Sequence, residues 1–241
     1  MSMNLPEVKE LMKAGLHFGH KTARWNPKMS KYIYGVKNGI HIFDLEKTQK
    51  SLATALEAVE ETVAKDGVVL FLGTKKQASK IVKKYALEAE MPFVVERWIG
   101  GLITNFVEIH KLVVKMEDLE NKAKDVDYEN KYTKRERALF QEELDNLDKV
   151  VGGVRNLKKV PDMIYVVGVK DEKTAVKEAQ TLDVKSLGIV DSNTDPDKVT
   201  YPIAANDDAS KSIELITKLV AEAVIQGKSK AVKVSAPEKL E

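Results

Sequence analysis

Continuous apolar runs alternate with amphipathic stretches over most of the chain. Each apolar run is typical of a strand buried on both faces, and the stretches between them carry apolar residues every three or four positions, as helices do. The predicted strands are 68–73, 92–98, 162–168, 185–191 and 201–204, and the predicted helices are 45–65, 75–90, 173–182 and 212–226. This alternation predicts an α/β fold, with a parallel sheet of about five strands flanked by helices.

The segment before the first predicted helix has a different pattern. The run "YIYGVKNGIHIF" (32–43) predicts a β-hairpin, because Asn38 and Gly39 supply the positive φ of a tight turn. Ahead of it, Asn26-Pro27 interrupts any helix and predicts a loop. We therefore treat residues 1–43 as a basic N-terminal segment with a β-hairpin.

The α/β pattern, assigned to 44–104 and 155–227, is interrupted by residues 105–154. Two apolar seams spaced by three and four predict an antiparallel coiled-coil hairpin that protrudes from the body, with a capping box at Thr133 and Glu136. The seam residues are Ile109, Leu112, Met116, Leu119, Ala123, Phe140, Leu144, Leu147 and Val151. Two ordinary core helices are the alternative. Residues 228–241 lack periodicity and predict a flexible tail.

Composition and charge narrow the classes of protein. The chain of 241 residues has 43% hydrophobic residues and no cysteine, which excludes disulfides and thiolate zinc sites. No apolar run is long enough to span a membrane, and the opening resembles no signal peptide, so we expect a cytoplasmic protein. The net charge is only +2, yet residues 11–43 contain six Lys or Arg and no acid. This asymmetry favours an anionic partner.

The stretch "HFGHKTARWNPKM" (17–29) is the strongest candidate for contact with that partner. Lys21, Arg24 and Lys28 can neutralise phosphates, while Trp25 and Phe18 can stack on bases or sugars, as in RNA recognition. Alternatively, the two aromatic rings only anchor the loop. A second, weaker candidate is "ERWIGGLITNF" (96–106), where a Gly-Gly pair permits a tight backbone path.

Motifs of catalysis are absent or incomplete. Gly73 in "FLGTKKQASK" has no second glycine to form a phosphate loop, and "DSNTDPD" (191–197) lacks the Gly and Glu of a calcium loop. A mixed zinc site remains open, with candidate ligands His17, His20, Asp191 and Asp207. Such histidines more often form local hydrogen bonds or contact the phosphates of a partner.

Six motifs in order resemble the bacterial family of small-subunit ribosomal protein two, over residues 6–227. They are "AGLHFGHKTARWNPKM", "IHIFDLEKT", "FLGTKKQA", "RWIGGLITNF", "VPDMIYVVG" and "IVDSNTDPD…YPIAANDDA". The resemblance implies a Rossmann-like, nucleotide-free body with a coiled-coil hairpin. It also implies assembly onto small-subunit rRNA beside other ribosomal proteins, including the OB-fold ribosomal protein that captures mRNA, with no membrane and no small-molecule substrate. Some family members carry zinc near the motifs at Asp191 and Asp207.

Three hypotheses follow from these observations. The first is a structural, non-enzymatic constituent of the small ribosomal subunit that requires no cofactor and contacts RNA. Its candidate contacts are Lys13, Lys21, Arg24, Trp25, Asn26, Lys28, Lys31, Lys75, Lys76, Arg97 and Trp98. The second is a metal-dependent α/β enzyme that uses Asp clusters at the carboxyl edge of the sheet. The third is an adaptor whose functional surface is the helical hairpin.

Overall fold

The computed structural model describes residues 5–125 and 127–235. Its strands are β1 (Phe18–Lys21), β2 (Ile33–Lys37), β3 (Ile40–Phe43), β4 (Val69–Leu72), β5 (Phe93–Val94), β6 (Met163–Val167), β7 (Lys185–Val190) and β8 (Tyr201–Ala204). Its helices are α1 (Val8–Lys13), α2 (Leu45–Ala64), α3 (Ser79–Glu88), α4 (Phe106–Ala123), α5 (Tyr128–Lys131), α6 (Lys134–Val151), α7 (Lys173–Thr181) and α8 (Ser210–Ser235).

The central sheet is parallel and has the strand order β5-β4-β6-β7-β8. Counted along the chain, these five strands follow the order 2-1-3-4-5 of a doubly wound fold, in which the topological switch lies between β4 and β6. All five strands coincide with predicted apolar runs, so the predicted α/β class is confirmed. In such folds the loops at the carboxyl ends of the strands diverge at the switch, and side chains from several loops meet there.

Alternate residues of each strand enter one of two cores. Phe71, Tyr165 and Leu187 face the core shared with α2, α3 and α8. Leu70 and Ile164 face the opposite core. That core also contains residues of α7, of α4 between Ile109 and Met116, and of the N-terminal segment. A parallel strand covered on both faces needs apolar residues at every position, which explains the uninterrupted runs.

The N-terminal segment folds into a second, three-stranded sheet of order β1-β3-β2. The predicted hairpin is β2–β3, and its turn residues Asn38 and Gly39 have φ of 52° and 73°. The predicted loop is wrong in part: Phe18–Lys21 is a strand, and short 3-10 turns cover Thr22–Arg24 and Pro27–Tyr32. β1 was missed because it contains Gly and His and gains its pairing only from β3.

The interrupting segment contains two long helices, α4 and α6, that pack against each other. Lys115 of α4 forms an ion pair with Glu143 of α6, and the predicted capping box at Thr133 is present. Val113 is more deeply buried than the predicted seam residue Leu112, and Ala123 is exposed. Coiled-coil geometry and protrusion of this hairpin remain predictions.

Three predicted boundaries are wrong. The strand predicted over 92–98 is only Phe93–Val94. Residues 75–78 form a turn, so α3 begins at Ser79 rather than at position 75. At the other end, α8 continues through Ser235, although a flexible tail was predicted from 228. Ion pairs with earlier parts of the chain support this extension, since Lys228 pairs with Glu90 just after α3 and Lys230 pairs with Glu60 of α2. Residues 236–241 of the predicted tail lie outside the described residues. Across the described chain, no helix is both long and apolar enough to cross a membrane.

Candidate functional site

The candidate site lies along the carboxyl edge of the central sheet. The loops after β4, β6, β7 and β8 all emerge there, as in other open α/β sheets. The N-terminal sheet is attached to the same edge: Asn206 N donates to the Leu16 carbonyl, and Asn26 N donates to the Ser192 carbonyl at 2.7 Å. Three distant parts of the sequence therefore share one surface.

Lys75 lies among three carboxylates at this edge. Its Nζ is 2.8 Å from Asp207 Oδ1, 3.0 Å from Asp208 Oδ1 and 3.3 Å from Asp171 Oδ2. Burial raises the pKa of Asp207 to about 6, although the Lys75 ammonium opposes this shift. Gly168 has φ of 80° and an added Cβ would lie 2.7 Å from Lys75 Cε, so this glycine makes room for the lysine stem. Lys75 is thus committed to an internal ion-pair network.

His20 connects β1 to the same network. Its Nδ1 donates to Asp191 Oδ1 over 2.8 Å, and its Nε2 lies 3.5 Å from Asp208 Oδ2. The backbone N–H of His20 donates to Ser192 Oγ, which in turn donates to Asp191. The hydrogen bond to Asp191 raises the pKa of His20 despite its partial burial. The imidazole is therefore held in place by groups of opposite charge.

The structure brings together a different set of possible metal ligands from the predicted one. His20, Asp191 and Asp208 each offer a ligand atom, and these atoms lie within 4.8 Å of one another. His17 is not part of this group; burial lowers its pKa, and its ring contacts Phe18. Asp207 faces Lys75 instead. Three donors with nitrogen and oxygen atoms match three of the four positions that zinc usually fills.

Among the predicted cations of the N-terminal segment and the loops after β4 and β5, some are paired with carboxylates and others are not. Lys28 Nζ lies 2.9 Å from both Asp195 Oδ2 and Asp197 Oδ2, so an acidic loop already neutralises it. The other exposed candidates form no ion pair with the residues that the structure describes. These are Lys13, Lys21, Arg24, Lys31, Lys76 and Arg97.

Trp25 and Asn26 occupy the boundary between the two sheets. The Trp25 ring stacks on His41 of β3, with centroids 4.9 Å apart, and Trp25 remains 39% exposed. Asn26 Oδ1 accepts from the Lys28 backbone N–H and caps the following 3-10 turn. Trp25 therefore anchors the loop with one face while part of its ring stays accessible. The contact with His41 supports the anchoring alternative, and stacking of this ring on RNA remains a prediction.

Trp98 does not lie on the surface. It is 9% exposed, and its indole N–H donates to Glu178 Oε1 of α7. Glu178 also accepts backbone hydrogen bonds from Gly101, Ile103 and Thr104. This environment supports a role in fixing the loop after β5 rather than the predicted contact with RNA. Its neighbour Arg97 is exposed.

Several residues of the site were not among the sequence candidates. Asp208 and Ser192 adjoin predicted positions, and the placement of their loops after strands was the available signal. Glu178 is a charged residue on α7 that nothing in the local sequence distinguishes. His41, on which Trp25 stacks, was predicted only as part of a hairpin.

Fold and site together define a doubly wound α/β protein that carries a small basic sheet on its carboxyl edge. The family described as "Ribosomal protein S2" matches residues 11–227, and the chain belongs to this family. The small ribosomal subunit protein uS2 of Fusobacterium nucleatum is 46% identical over 225 residues, which cover 93% of this chain and 91% of that protein. The uS2 protein of Micrococcus luteus is 44% identical over 229 residues, or 93% and 79% of the two chains.

Membership in this family defines the general role of the protein. Members are structural constituents of the small ribosomal subunit rather than enzymes, and the sequence resemblance to this family is confirmed. The alternative of a metal-dependent enzyme at the Asp clusters is therefore not favoured.

Proposed function

We propose that the protein binds small-subunit rRNA through its N-terminal segment and the adjoining carboxyl edge of the central sheet, as part of cytoplasmic ribosomes. The observation that carries this proposal is the set of exposed cations without carboxylate partners in the described chain: Lys13, Lys21, Arg24, Lys31, Lys76 and Arg97. Unpaired cations on a folded surface favour a polyanion, because phosphate contacts release condensed counterions.

The distribution of acids limits which cations can bind phosphate. Six carboxylates at the edge share only Lys28, Lys75 and His20 as partners in the described chain, so these three groups have no positive charge to spare; the acids are Asp171, Asp191, Asp195, Asp197, Asp207 and Asp208. Phosphate contacts therefore fall to exposed cations beside the acids, among them Lys21, Arg24 and Lys76. We propose that the paired residues Lys28 and Lys75 shape the surface, whereas Lys21, Arg24 and Lys31 bind phosphates.

Incorporation into small subunits tests the proposal. A Lys21→Ala/Arg24→Ala double variant should show reduced occupancy in subunits isolated in gentle buffer, and the remaining protein should dissociate at lower salt than the wild type. A Lys50→Ala/Lys84→Ala variant removes equal charge from α2 and α3 and should keep full occupancy. Undiminished occupancy of the first variant would contradict the proposed surface.

We also propose contacts with other small-subunit ribosomal proteins, including the OB-fold ribosomal protein that binds mRNA. The helical hairpin supports this part of the proposal, because the exposed face of α6 carries Leu139 and Val150 beside the acids Glu142 and Glu143. A Leu139→Ser/Val150→Ser variant separates the two surfaces, because it changes the exposed face of α6 and leaves the core residues of α4 in place. It should reduce protein contacts while RNA association through the basic segment persists.

A bound zinc ion is a further part of the proposal. His20, Asp191 and Asp208 would hold it, with water as a fourth ligand, and the ion would link β1 to the loops after β7 and β8. Elemental analysis of the purified protein is the test. Zinc near one equivalent in the wild type and its loss in His20→Ala would support the site, whereas equal zinc in both would contradict it.

A further inference from the structure

The outer face of the small sheet exposes aromatic and apolar groups that no residue of the described chain covers. Tyr34 of β2 is 82% exposed and Val36 is 56% exposed. Val36 pairs directly with His41 of β3, and Trp25 stacks on the His41 ring. Directly paired residues of neighbouring antiparallel strands share a face, so Val36, His41 and the Trp25 ring stacked on it form one surface. Tyr34 is exposed two positions before Val36, where the register of β2 and β3 shifts. We call these four residues the aromatic face.

The residue beneath Trp25 has an unusual environment. His41 is 6% exposed, and neither of its ring nitrogens has a hydrogen-bond partner. Burying unsatisfied polar atoms is costly. The His41 ring is stacked with Trp25, and this contact fixes the plane of the indole ring. Trp25 is thus held in one orientation while 39% of it remains exposed.

Charge identifies what fits this face. Lys21, Arg24, Lys31 and Lys37 belong to the same N-terminal segment, are exposed and form no ion pair within the described chain. Cations around flat rings favour a nucleic-acid strand whose bases are unstacked, because bases inside a duplex cannot reach an aromatic ring. A protein partner would be expected to meet acids as well as cations, and residues 11–43 contain no acid.

We infer that the aromatic face binds unpaired bases, with Tyr34 and Trp25 as stacking positions and the surrounding cations on the phosphates. This inference rests on the proposed RNA-binding function and deepens it: the ligand is single-stranded or looped RNA rather than a helix. It also adds Tyr34 to the functional residues. The salt-dependent contacts and the stacking contacts belong to different side chains, so they can be separated by substitution.

Binding of two labelled probes to the isolated full chain tests the inference. The probes are an unstructured oligouridylate of about 12 nucleotides and an RNA duplex of the same length. The wild type should prefer the single strand. Tyr34→Ala should weaken single-strand binding about 5- to 100-fold, without a change in the salt dependence. Tyr34→Phe keeps the ring and should retain binding. The single strand should quench tryptophan fluorescence of the wild type but not of Trp25→Phe.

The possible outcomes distinguish the inference from the proposed function. If neither probe binds at low salt, both fail. If the two probes bind equally and Tyr34→Ala has no effect, stacking is wrong while RNA binding by the cations stands. If Tyr34→Ala leaves both RNA affinities unchanged but lowers incorporation into small subunits, the aromatic face contacts a protein and the inference is overturned. Equal weakening for strand and duplex also overturns it.

Discussion

Trp98 and Glu178 are joined by a 3.1 Å hydrogen bond from the indole Nε1 to the carboxylate, although they are separated by 80 positions. Through Glu178 the loop after β5 is attached to α7. Burial raises the pKa of Glu178, but donors from Gly101, Trp98, Ile103 and Thr104 together lower it below its usual value. One side chain thus holds a whole loop in place.

Glu178→Gln should destabilise the protein by about 1–3 kcal/mol, because the amide turns a donor toward backbone N–H groups and leaves them unsatisfied. Urea denaturation measures the change. Glu88→Gln, at an exposed helix position, is the control and should stay within about 0.5 kcal/mol. A loss equal to that of the control would mean that the loop does not depend on Glu178.

The same residue should affect the pH dependence of stability. Because its folded-state pKa is lowered, ionised Glu178 stabilises the fold at pH values above the unfolded-state pKa of about 4.3. This contribution is lost as pH falls through the folded-state pKa. Denaturation at several pH values should show a steeper acidic loss of stability for the wild type than for Glu178→Gln. Parallel curves would contradict the prediction.

Lys75 and Lys76 are neighbours with different expected roles. Lys75→Met removes the cation beside the buried Asp207 carboxylate and should cost about 3–5 kcal/mol of unfolding free energy. Lys76→Met should change stability by no more than about 0.5 kcal/mol but should weaken RNA binding. Denaturation and salt-dependent binding of both variants form a matched comparison. If Lys75→Met retains stability and loses only RNA affinity, the lysine belongs to the interface after all.

Lys28 and Lys31 should differ in how they affect salt dependence. Lys31→Ala should lower the slope of log affinity against log salt by about 0.7–0.9, the value for one phosphate contact. Lys28→Ala frees Asp195 and Asp197, so it should weaken binding by repulsion without lowering the slope. Titrations at several ionic strengths check this. An equal fall in slope for both variants would show that Lys28 leaves its carboxylates to bind phosphate.

An acidic residue with left-handed backbone follows helices α2, α3 and α7, two positions after the last helical residue. Asp66, Glu90 and Asp183 have φ of 57°, 51° and 52° and occupy the position usually taken by glycine. Asp183→Gly should therefore stabilise the protein by about 0.5–1 kcal/mol, since it removes backbone strain and a negative charge at the helix C-terminus.

The control for this change is Asp118→Gly within α4, which should destabilise by about 1 kcal/mol. Thermal or urea unfolding compares the two. Loss of stability in Asp183→Gly would mean that a contact of the aspartate side chain stabilises the fold by more than the backbone strain destabilises it.

The sheet and the meeting of its loops could be predicted from sequence because both follow from local patterns. Uninterrupted apolar runs mark buried parallel strands, and residues that follow such strands share an edge; Asp191 and Asp207 were placed together on that basis. Ion pairing could not be predicted. Lys28 finds its partners 167 and 169 positions later, and no periodicity encodes that distance.

The wrong predictions for single residues and for helix ends have a related cause. Trp98 and Arg97 are adjacent, and only the position of α7 decides that one is buried and the other exposed. The left-handed positions after α2 and α7 are occupied by Asp66 and Asp183 instead of the glycine that usually indicates the end of a helix. The sequence therefore did not indicate where the backbone becomes left-handed. Local composition predicts what a residue can do, whereas distant packing decides whether it is available.

The hydrogen bond from His20 N to Ser192 Oγ spans 172 positions. During synthesis the small basic sheet leaves the exit tunnel long before the loops after β7 and β8 exist. Until those loops are synthesised, the aromatic rings and cations of this sheet lack both the neighbouring acidic residues and the edge of the central sheet to which they are attached. A nascent chain halted before residue 191 would expose this sheet without its partners, so roughly the last fifth of translation supplies the contacts that hold the first fifth of the protein in place.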